Sequence, residues 1–312
     1  MIMTSQIISL FLLCKKFNAH FLWVFLLLLS SCETKFYLPE NPPPIPECLP
    51  PDCIRLALVL GGGGAKGLSH VGVLEEFEKA GIPIDLIVGC SAGGIVGALY
   101  ADCPNARYIK HLLKPLRAWD ILDINLWFGR YGLVRGGSLR CFLKRNLSCH
   151  FFEDLQIPLY VVATDVIAGK LVSINSGPLI PAIHASAAVP FIFSPVYLHH
   201  RLLVDGGVSN PVPVIIAKKA GAAVIVAVDL SGLLPETCPT NLFGMVTRSA
   251  EIKFLLQSES CVQGADFVIR PELGDMGLFD DRNPQHVYDA GCKAAKEAIP
   301  DILELLSKKG LL

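Results

Sequence analysis

From residue 55 onward, the chain alternates short apolar runs with segments whose apolar residues recur at helical spacing. Arg55–Leu60 is an almost continuous apolar run that ends in glycines, which predicts a buried parallel strand. Apolar residues then recur every three or four positions from Leu68 to Phe77, and Gly81 follows as a helix C-cap. These patterns predict a strand, a glycine loop and a helix in direct succession.

The same alternation continues along the chain. Further strands are predicted at Ile84–Val88, Leu159–Ala163, Leu202–Val204 and Ala222–Val228, and further helices at Ala92–Ala101 and Val212–Ala220. Strands that alternate with helices favour an α/β layered fold with helices on both faces of the sheet. We expect this folded domain to span residues 54–312.

The N-terminal segment has the pattern of a targeting signal. Two lysines precede a nine-residue apolar run, Phe21–Leu29. This run is too short to cross a bilayer core, because a helix needs roughly 20 residues to do so. The run ends in Leu-Ser-Ser-Cys, which resembles a bacterial lipobox with Cys32 as the acylated residue. We therefore expect a lipoprotein signal peptide over residues 1–31 and a lipid-anchored protein of the bacterial cell envelope. The alternative is an ordinary signal peptide that happens to contain a cysteine.

A proline-rich segment follows the signal. Glu33–Pro51 holds seven prolines in 19 residues, a composition that favours extended polyproline II over a packed element. Residues 32–53 are therefore predicted to be a semi-rigid linker between the anchor and the folded domain.

Composition narrows the possible partners. The 27 Lys and Arg residues nearly balance the 28 Asp and Glu residues. The chain therefore lacks the excess positive charge that non-specific binding of nucleic acid requires. Hydrophobic residues make up 52% of the chain and charged residues 18%, which excludes disorder for the bulk of it. The 11 cysteines form no CxxC pair and show no Cys/His ligand spacing, so we expect no metal site.

The first candidate site loop is the glycine run Gly61–Gly67, which lies between a predicted strand and a predicted helix. Its backbone N–H groups, beside a helix N-terminus, suit a phosphate or the oxyanion of an acyl-transfer intermediate. Gly62, Gly64 and Gly67 also satisfy the GxGxxG dinucleotide fingerprint, with Asp85 about 20 residues further on. The loop alone therefore leaves two kinds of ligand open.

The second loop is Gly89-Cys90-Ser91-Ala92-Gly93, a GxSxG motif between a predicted strand and a predicted helix. This is the position of a nucleophile elbow, in which flanking glycines relieve crowding around a strained serine. A cofactor-binding loop has no need for Ser91, so this motif favours hydrolase chemistry.

The third loop is Asp205-Gly206-Gly207, at the end of a predicted strand. Taken alone, it is more often a tight turn than a catalytic site. The combination of an anion-binding loop, a strand-end serine and a strand-end aspartate reverses that preference.

The three loops together resemble the motifs of bacterial patatin-like phospholipases. GGGAKG at Gly62–Gly67 is similar to the family's GGGxRG loop, with Lys66 in place of the more usual arginine. GCSAG at Gly89–Gly93 matches its GxSxG motif, and DGG at Asp205–Gly207 matches its DGA/DGG motif. The resemblance covers roughly residues 55–230.

The resemblance implies a three-layer α/β/α sandwich with a mostly parallel central sheet. It also implies a Ser–Asp dyad without histidine, in which Ser91 is the nucleophile and Asp205 its base. The backbone amides of Gly62, Gly63 and Gly64 would form the oxyanion hole. No cofactor is implied, and membrane lipids are the expected substrate.

Two other functions stay open on the sequence alone. One is a nucleotide-binding oxidoreductase that uses the GxGxxG loop, and the other is a non-catalytic envelope lipoprotein that binds acyl chains. A different catalytic arrangement also stays open, because His286 follows Ser91 and Asp205 in the Ser–Asp–His order of an α/β-hydrolase triad. The polar helix start around His286 argues against that role.

Overall fold

The computed structural model describes residues 38–312 apart from 122–123, 130–131, 235 and 237. The predicted signal peptide and Cys32 lie outside the described residues. Pro39–Leu312 forms one compact unit.

The strands are short, and most of them coincide with the apolar runs. They are β1 Leu56–Leu60, β2 Leu86–Cys90, β3 Ile124–Gly129, β4 Gly132–Val134, β5 Leu159–Asp165, β6 Lys170–Ile174, β7 Phe191–Phe193, β8 Val196–Leu198, β9 Arg201–Asp205, β10 Val224–Val228 and β11 Phe267–Ile269.

The helices connect these strands and add a C-terminal layer. They are α1 Leu68–Ala80, α2 Ala92–Asp102, α3 Ala106–Leu113, α4 Ala118–Ile121, α5 Gly137–Asn146, α6 Leu179–Ser186, α7 Val214–Lys219, α8 Leu242–Cys261 and α9 Pro284–Lys308. Short 3₁₀ turns span Gly64–Gly67, Phe152–Asp154 and Gly206–Val208.

In the part of the chain that the structure describes, the main sheet has eight strands in the order β11-β10-β1-β2-β5-β9-β8, with β6 also paired to β5. The strands from β11 to β5 are parallel, whereas β6, β8 and β9 pair in antiparallel fashion. The sheet is therefore mostly parallel at its centre. A separate sheet contains β3, β4 and β7.

Strand β1 shows why the fold has three layers. Leu56, Leu58 and Leu60 belong to one apolar cluster, which includes residues of α1, α2 and α9. Ala57 and Val59 belong to another cluster, which includes residues of α7. Because alternate residues of a strand face opposite sides of the sheet, both faces are covered by helices. The α/β/α prediction is confirmed.

The proline-rich segment contacts the folded domain. The Ser176 hydroxyl donates to the Pro46 carbonyl at 2.6 Å, and the Asn175 side chain both accepts from the Cys48 amide and donates to its carbonyl. Further upstream, Arg201 donates to the Pro43 carbonyl. Residues 43–48 of the predicted linker are thus held against the domain near the end of β6.

Among the helices of the described residues, none combines the length and the hydropathy that a bilayer span requires.

Candidate active site

Ser91 lies in a strained turn between β2 and α2. Its backbone has φ 52° and ψ −119°, a conformation that costs a non-glycine residue about 1–3 kcal/mol. The turn is tight enough that a Cβ on Gly93 would lie 2.1 Å from the Leu60 carbonyl oxygen, so position 93 requires glycine. The Ser91 amide donates to Ser186 Oγ at 3.0 Å. These features match the predicted nucleophile elbow.

Asp205 ends strand β9 beside the serine. The Ser91 hydroxyl donates to Asp205 Oδ2 at 2.6 Å, and the Gly207 amide donates to Oδ1 at 2.7 Å. Both side chains are buried. Burial raises the pKa of Asp205 to about 6, against the lowering effect of these two hydrogen bonds. The carboxylate is thus poised near neutral pH, as a general base requires.

The two strands that carry the dyad meet end to end. Along one edge of β5, strand β2 pairs as far as Val162, which lies opposite Cys90. On that same edge, the antiparallel strand β9 arrives from the other direction, with Asp205 opposite Ala163. The other edge of β5 is taken by β6. The C-terminal ends of β2 and β9 therefore meet beside neighbouring residues of β5, and this brings Ser91 and Asp205 together.

Further polar groups hold the aspartate backbone. Thr164 Oγ1 donates to the Asp205 carbonyl at 2.9 Å and contacts Ser209 Oγ at 2.8 Å. The Asp205 amide donates to the Ala188 carbonyl. The carboxylate is fixed by its main chain as well as by its own hydrogen bonds.

The glycine loop also lies beside the serine, since a Cβ on Gly62 would lie 3.5 Å from Ser91 Cβ. The Gly62 amide donates to the Pro211 carbonyl at 2.9 Å, so it is occupied in this conformation. Gly63 and Gly64 line the same cleft as Ser91, and their amides have no acceptor among the described residues. Gly64 has φ +57°, and a Cβ there would lie 2.2 Å from the Leu278 carbonyl oxygen, so both conformation and space require glycine.

Two buried side chains flank this loop. His70 donates from Nε2 to the Gly61 carbonyl at 2.8 Å, and burial lowers the pKa of His70 to about 4, which keeps the ring neutral. Lys66 is also buried, and burial lowers its pKa although Glu251 and Asp229 act in the opposite direction. Both side chains are therefore buried beside the glycine loop, and neither lines the clefts that contain Ser91.

Two apolar clefts meet at Ser91. The larger, of about 530 Å³, also contains Asp205, Gly63 and residues of α8. The smaller, of about 180 Å³, extends from Ser91 along the start of α2 toward Leu116. Gly64, Val189 and Phe279 line both clefts with Ser91. A reacting carbon at the serine would thus have apolar space on two sides.

A family profile for patatin-like phospholipases matches residues 58–218, about half of the chain. The match includes the glycine loop, Ser91 and Asp205. The chain belongs to the patatin-like phospholipase family.

Relatives and solved structures agree with this assignment. The patatin-like phospholipase domain-containing protein 6 of Mus musculus is 30% identical over 281 residues, an alignment that covers 77% of this chain and 20% of that protein. Lysophospholipase NTE1 of Debaryomyces hansenii is 34% identical over 190 residues, or 60% of this chain and 12% of that protein. The chain thus corresponds to a small part of these relatives.

One solved structure resembles this chain over a larger share of its length than these sequence relatives do. VipD from Legionella pneumophila superposes with a TM-score of 0.55 at 13% identity, covering 88% of this chain and 72% of that chain. At this identity the likeness shows the fold.

The structure argues against the dinucleotide alternative for this patatin-like protein. Asp85 precedes β2, and its carboxylate accepts from the backbone amides of Arg55 and Leu56 and from the Arg55 guanidinium at 2.7 Å. It therefore lies at the opposite end of β1 from the glycine loop and is already paired. A ribose-binding carboxylate has to lie at the carboxyl end of the second strand.

His286 does not join the dyad. It is exposed in the first turn of α9, where its amide is capped by the Asn283 side chain, and it lines neither cleft. The Asp205 carboxylate oxygens accept from Ser91 and Gly207 instead. The geometry brings together a Ser–Asp pair, without the histidine of a triad.

The supporting residues Ser186 and Thr164 carry no motif of their own. Both lie within the residues that match the family profile, but outside the three motif loops. Their roles become visible only with the tertiary contacts. Among the residues with described positions, no three His, Cys, Asp or Glu side chains come together to hold a metal ion.

Proposed function

We propose that this chain is a serine acyl hydrolase that cleaves the carboxylic esters of phospholipids or lysophospholipids. The observation that carries the proposal is the 2.6 Å hydrogen bond from Ser91 Oγ to Asp205 Oδ2 at the junction of two apolar clefts. The family assignment and the name of the lysophospholipase relative support the same substrate class.

The first half of the reaction forms an acyl-enzyme. Ser91 Oγ attacks the ester carbonyl carbon while its proton passes to Asp205 Oδ2. When the tetrahedral intermediate collapses, the C–O bond to the alcohol breaks, and protonated Asp205 returns the proton to the departing oxygen. The strained Ser91 backbone keeps Oγ in reach of both partners.

The second half releases the fatty acid. Water attacks the acyl-enzyme carbonyl and gives a proton to Asp205, which then passes it to Ser91 Oγ as the acyl C–O bond breaks. Asp205 thus ends each turnover as the carboxylate with which it began.

The oxyanion of both intermediates would bind the amides of Gly63 and Gly64. These amides line the cleft beside Ser91, whereas the Gly62 amide, also predicted as a donor, is engaged by Pro211. The role of Gly62 is then to anchor the loop. Loss of one such donor costs about 10²–10³ in rate.

Ser91→Ala and Asp205→Asn test the dyad. Both variants should lose hydrolysis of long-chain p-nitrophenyl esters, and Ser91→Ala should also lose labelling by a fluorophosphonate probe. His286→Ala is the matched control and should keep its kcat, because His286 is exposed and lines neither cleft. Wild-type rates in Ser91→Ala would show that the nucleophile is another residue.

We also propose that Cys32 is the lipidated N-terminus of a protein held at the bacterial cell envelope. The support is the basic-then-apolar run before Leu-Ser-Ser-Cys and the proline-rich segment after it. Several acyl chains at about 0.8 kcal/mol per buried CH₂ are enough for stable anchoring.

A further inference from the structure

Helix α8 carries a row of exposed apolar side chains. Leu242, Met245, Ile252 and Leu256 are exposed to 81%, 53%, 41% and 71%. At about 100° per residue these four positions fall within roughly 80° of the helix circumference, and they extend over roughly 21 Å along its axis. We call this row the α8 stripe.

The α8 stripe is continuous with the larger cleft. Met245 belongs to the stripe and also lines the cleft that contains Ser91 and Asp205. Phe191 lines the same cleft and is 68% exposed, on a backbone with φ +69° that is costly for an aromatic residue. Exposed apolar surface thus borders the mouth of the cleft that leads to the nucleophile.

The first half of α8 carries no carboxylate, and a lysine lies where the helix borders the cleft. The segment Leu242–Ala250 contains no Asp or Glu. The first carboxylate of α8, Glu251, faces Arg248 at 3.4 Å. Lys253 is exposed and lines the cleft, with its Nζ donating to the Val208 carbonyl. A cation beside apolar side chains suits the phosphate layer above a hydrocarbon phase.

We propose that the α8 stripe and Phe191 dock on the surface of a lipid bilayer and open the larger cleft toward the acyl chains. An amphipathic helix in this position would bury its apolar side about 5–10 Å into the boundary between headgroups and chains. The proposal rests on the function proposed above, since a lipid hydrolase has to draw a long-chain ester out of a membrane. A second copy of the chain on this surface would cover Met245 and Phe191, and would therefore close the larger cleft to substrate.

The test separates membrane docking from chemistry. Leu242→Ser/Ile252→Ser/Leu256→Ser removes three stripe residues that line neither cleft. The matched control, Leu49→Ser/Ile167→Ser/Ile215→Ser, removes three other exposed apolar residues that also line neither cleft. Wild type and both variants are compared as full chains that carry Cys32→Ser, so that all share one N-terminal segment without a lipid anchor.

Two substrates are measured for each protein. One is monomeric p-nitrophenyl butyrate, and the other is lipid in vesicles of phosphatidylcholine and phosphatidylglycerol, followed by release of fatty acid. The stripe variant should keep kcat/KM on the monomeric ester and lose at least about tenfold in vesicle hydrolysis, a loss equivalent to about 1.4 kcal/mol of docking free energy. The control variant should match wild type on both substrates.

Vesicle hydrolysis at the wild-type rate by the stripe variant would overturn the proposal. So would a wild type that elutes as a dimer while the stripe variant elutes as a monomer with unchanged vesicle hydrolysis. If wild type cleaves neither substrate, the proposed function fails. Cosedimentation with vesicles then decides the docking surface separately, and equal binding by wild type and stripe variant would refute it.

Discussion

Asp205→Asn is expected to stabilise the protein at neutral pH while it abolishes hydrolysis. The change keeps the shape of the side chain: the amide oxygen can accept from Gly207, and the amide nitrogen can donate to Ser91 Oγ. It removes a buried negative charge whose pKa is raised by burial from 3.8 to about 6. Removing that charge relieves a desolvation cost that the wild type carries whenever Asp205 is ionised.

The sign and size follow from proton linkage. Between pH 3.8 and about 6 the folded protein binds the Asp205 proton and the unfolded chain does not, so the contribution of Asp205 to the free energy of unfolding falls as pH rises through this window. The shift is about two pH units at about 1.36 kcal/mol each, which gives a penalty of about 3 kcal/mol above pH 7. Asparagine carries no such penalty. The stability advantage of Asp205→Asn should therefore be small near pH 4, grow through pH 6 and level off above pH 7.

Urea unfolding of both proteins, followed by circular dichroism at pH values from about 4 to about 8, measures this difference. Asp102→Asn is a suitable comparison with the opposite expected sign. Burial raises the pKa of Asp102, but hydrogen bonds from Ser148 and Cys149 outweigh this effect and hold the pKa below its usual range. A difference between wild type and Asp205→Asn that does not change with pH, or that favours wild type at pH 8, would show that the buried charge of Asp205 does not destabilise the fold.

Three further outcomes are expected. The kcat/KM of wild type should fall tenfold per pH unit below about pH 6, where Asp205 becomes protonated, and a flat profile there would exclude it as the base. His70→Phe should lower kcat by about 10–100-fold, because the Gly61 carbonyl loses its hydrogen-bond donor and the glycine loop can shift. His70→Gln keeps a donor and should recover much of this loss, so equal losses in both variants would contradict a positioning role for His70. Mass spectrometry of the mature N-terminus should find Cys32 acylated, and a Cys32→Ser protein should leave the membrane fraction; an unmodified N-terminus downstream of Cys32 would rule the anchor out.

Local sequence patterns predicted most strands of the main sheet. Continuous apolar runs predicted β1, β2, β5, β9 and β10 to within two residues at each end, because a strand buried on both faces has to be apolar throughout. Helix α1 followed from its spacing and from Gly81, which has φ +66° as a C-cap requires. The positions of the three glycine-containing site loops followed from these strand and helix boundaries.

Partners that are distant in sequence were not predictable in the same way. Ser186 lies 95 positions from Ser91, and Thr164 lies 41 positions from Asp205, so no local pattern records their contacts. The same holds for the Gly62 amide, whose acceptor is Pro211. A composition that predicts an extended linker also says nothing about contacts such as those of Pro46 and Cys48 with the domain.

The register of β9 on β5 is the feature on which the dyad most depends. Successive residues of a strand face opposite sides of the sheet, so a slip of one residue would turn Asp205 away from Ser91 and place Val204 or Gly206 at that level. Two contacts besides the strand ladder oppose such a slip, one from Thr164 Oγ1 to the Asp205 carbonyl and one from the Asp205 amide to the Ala188 carbonyl. Gly206 adds a third constraint, because a Cβ there would lie 2.5 Å from the Val162 carbonyl oxygen. The glycine after the aspartate thus sets the register of the strand end, and the strand end sets the distance between base and nucleophile.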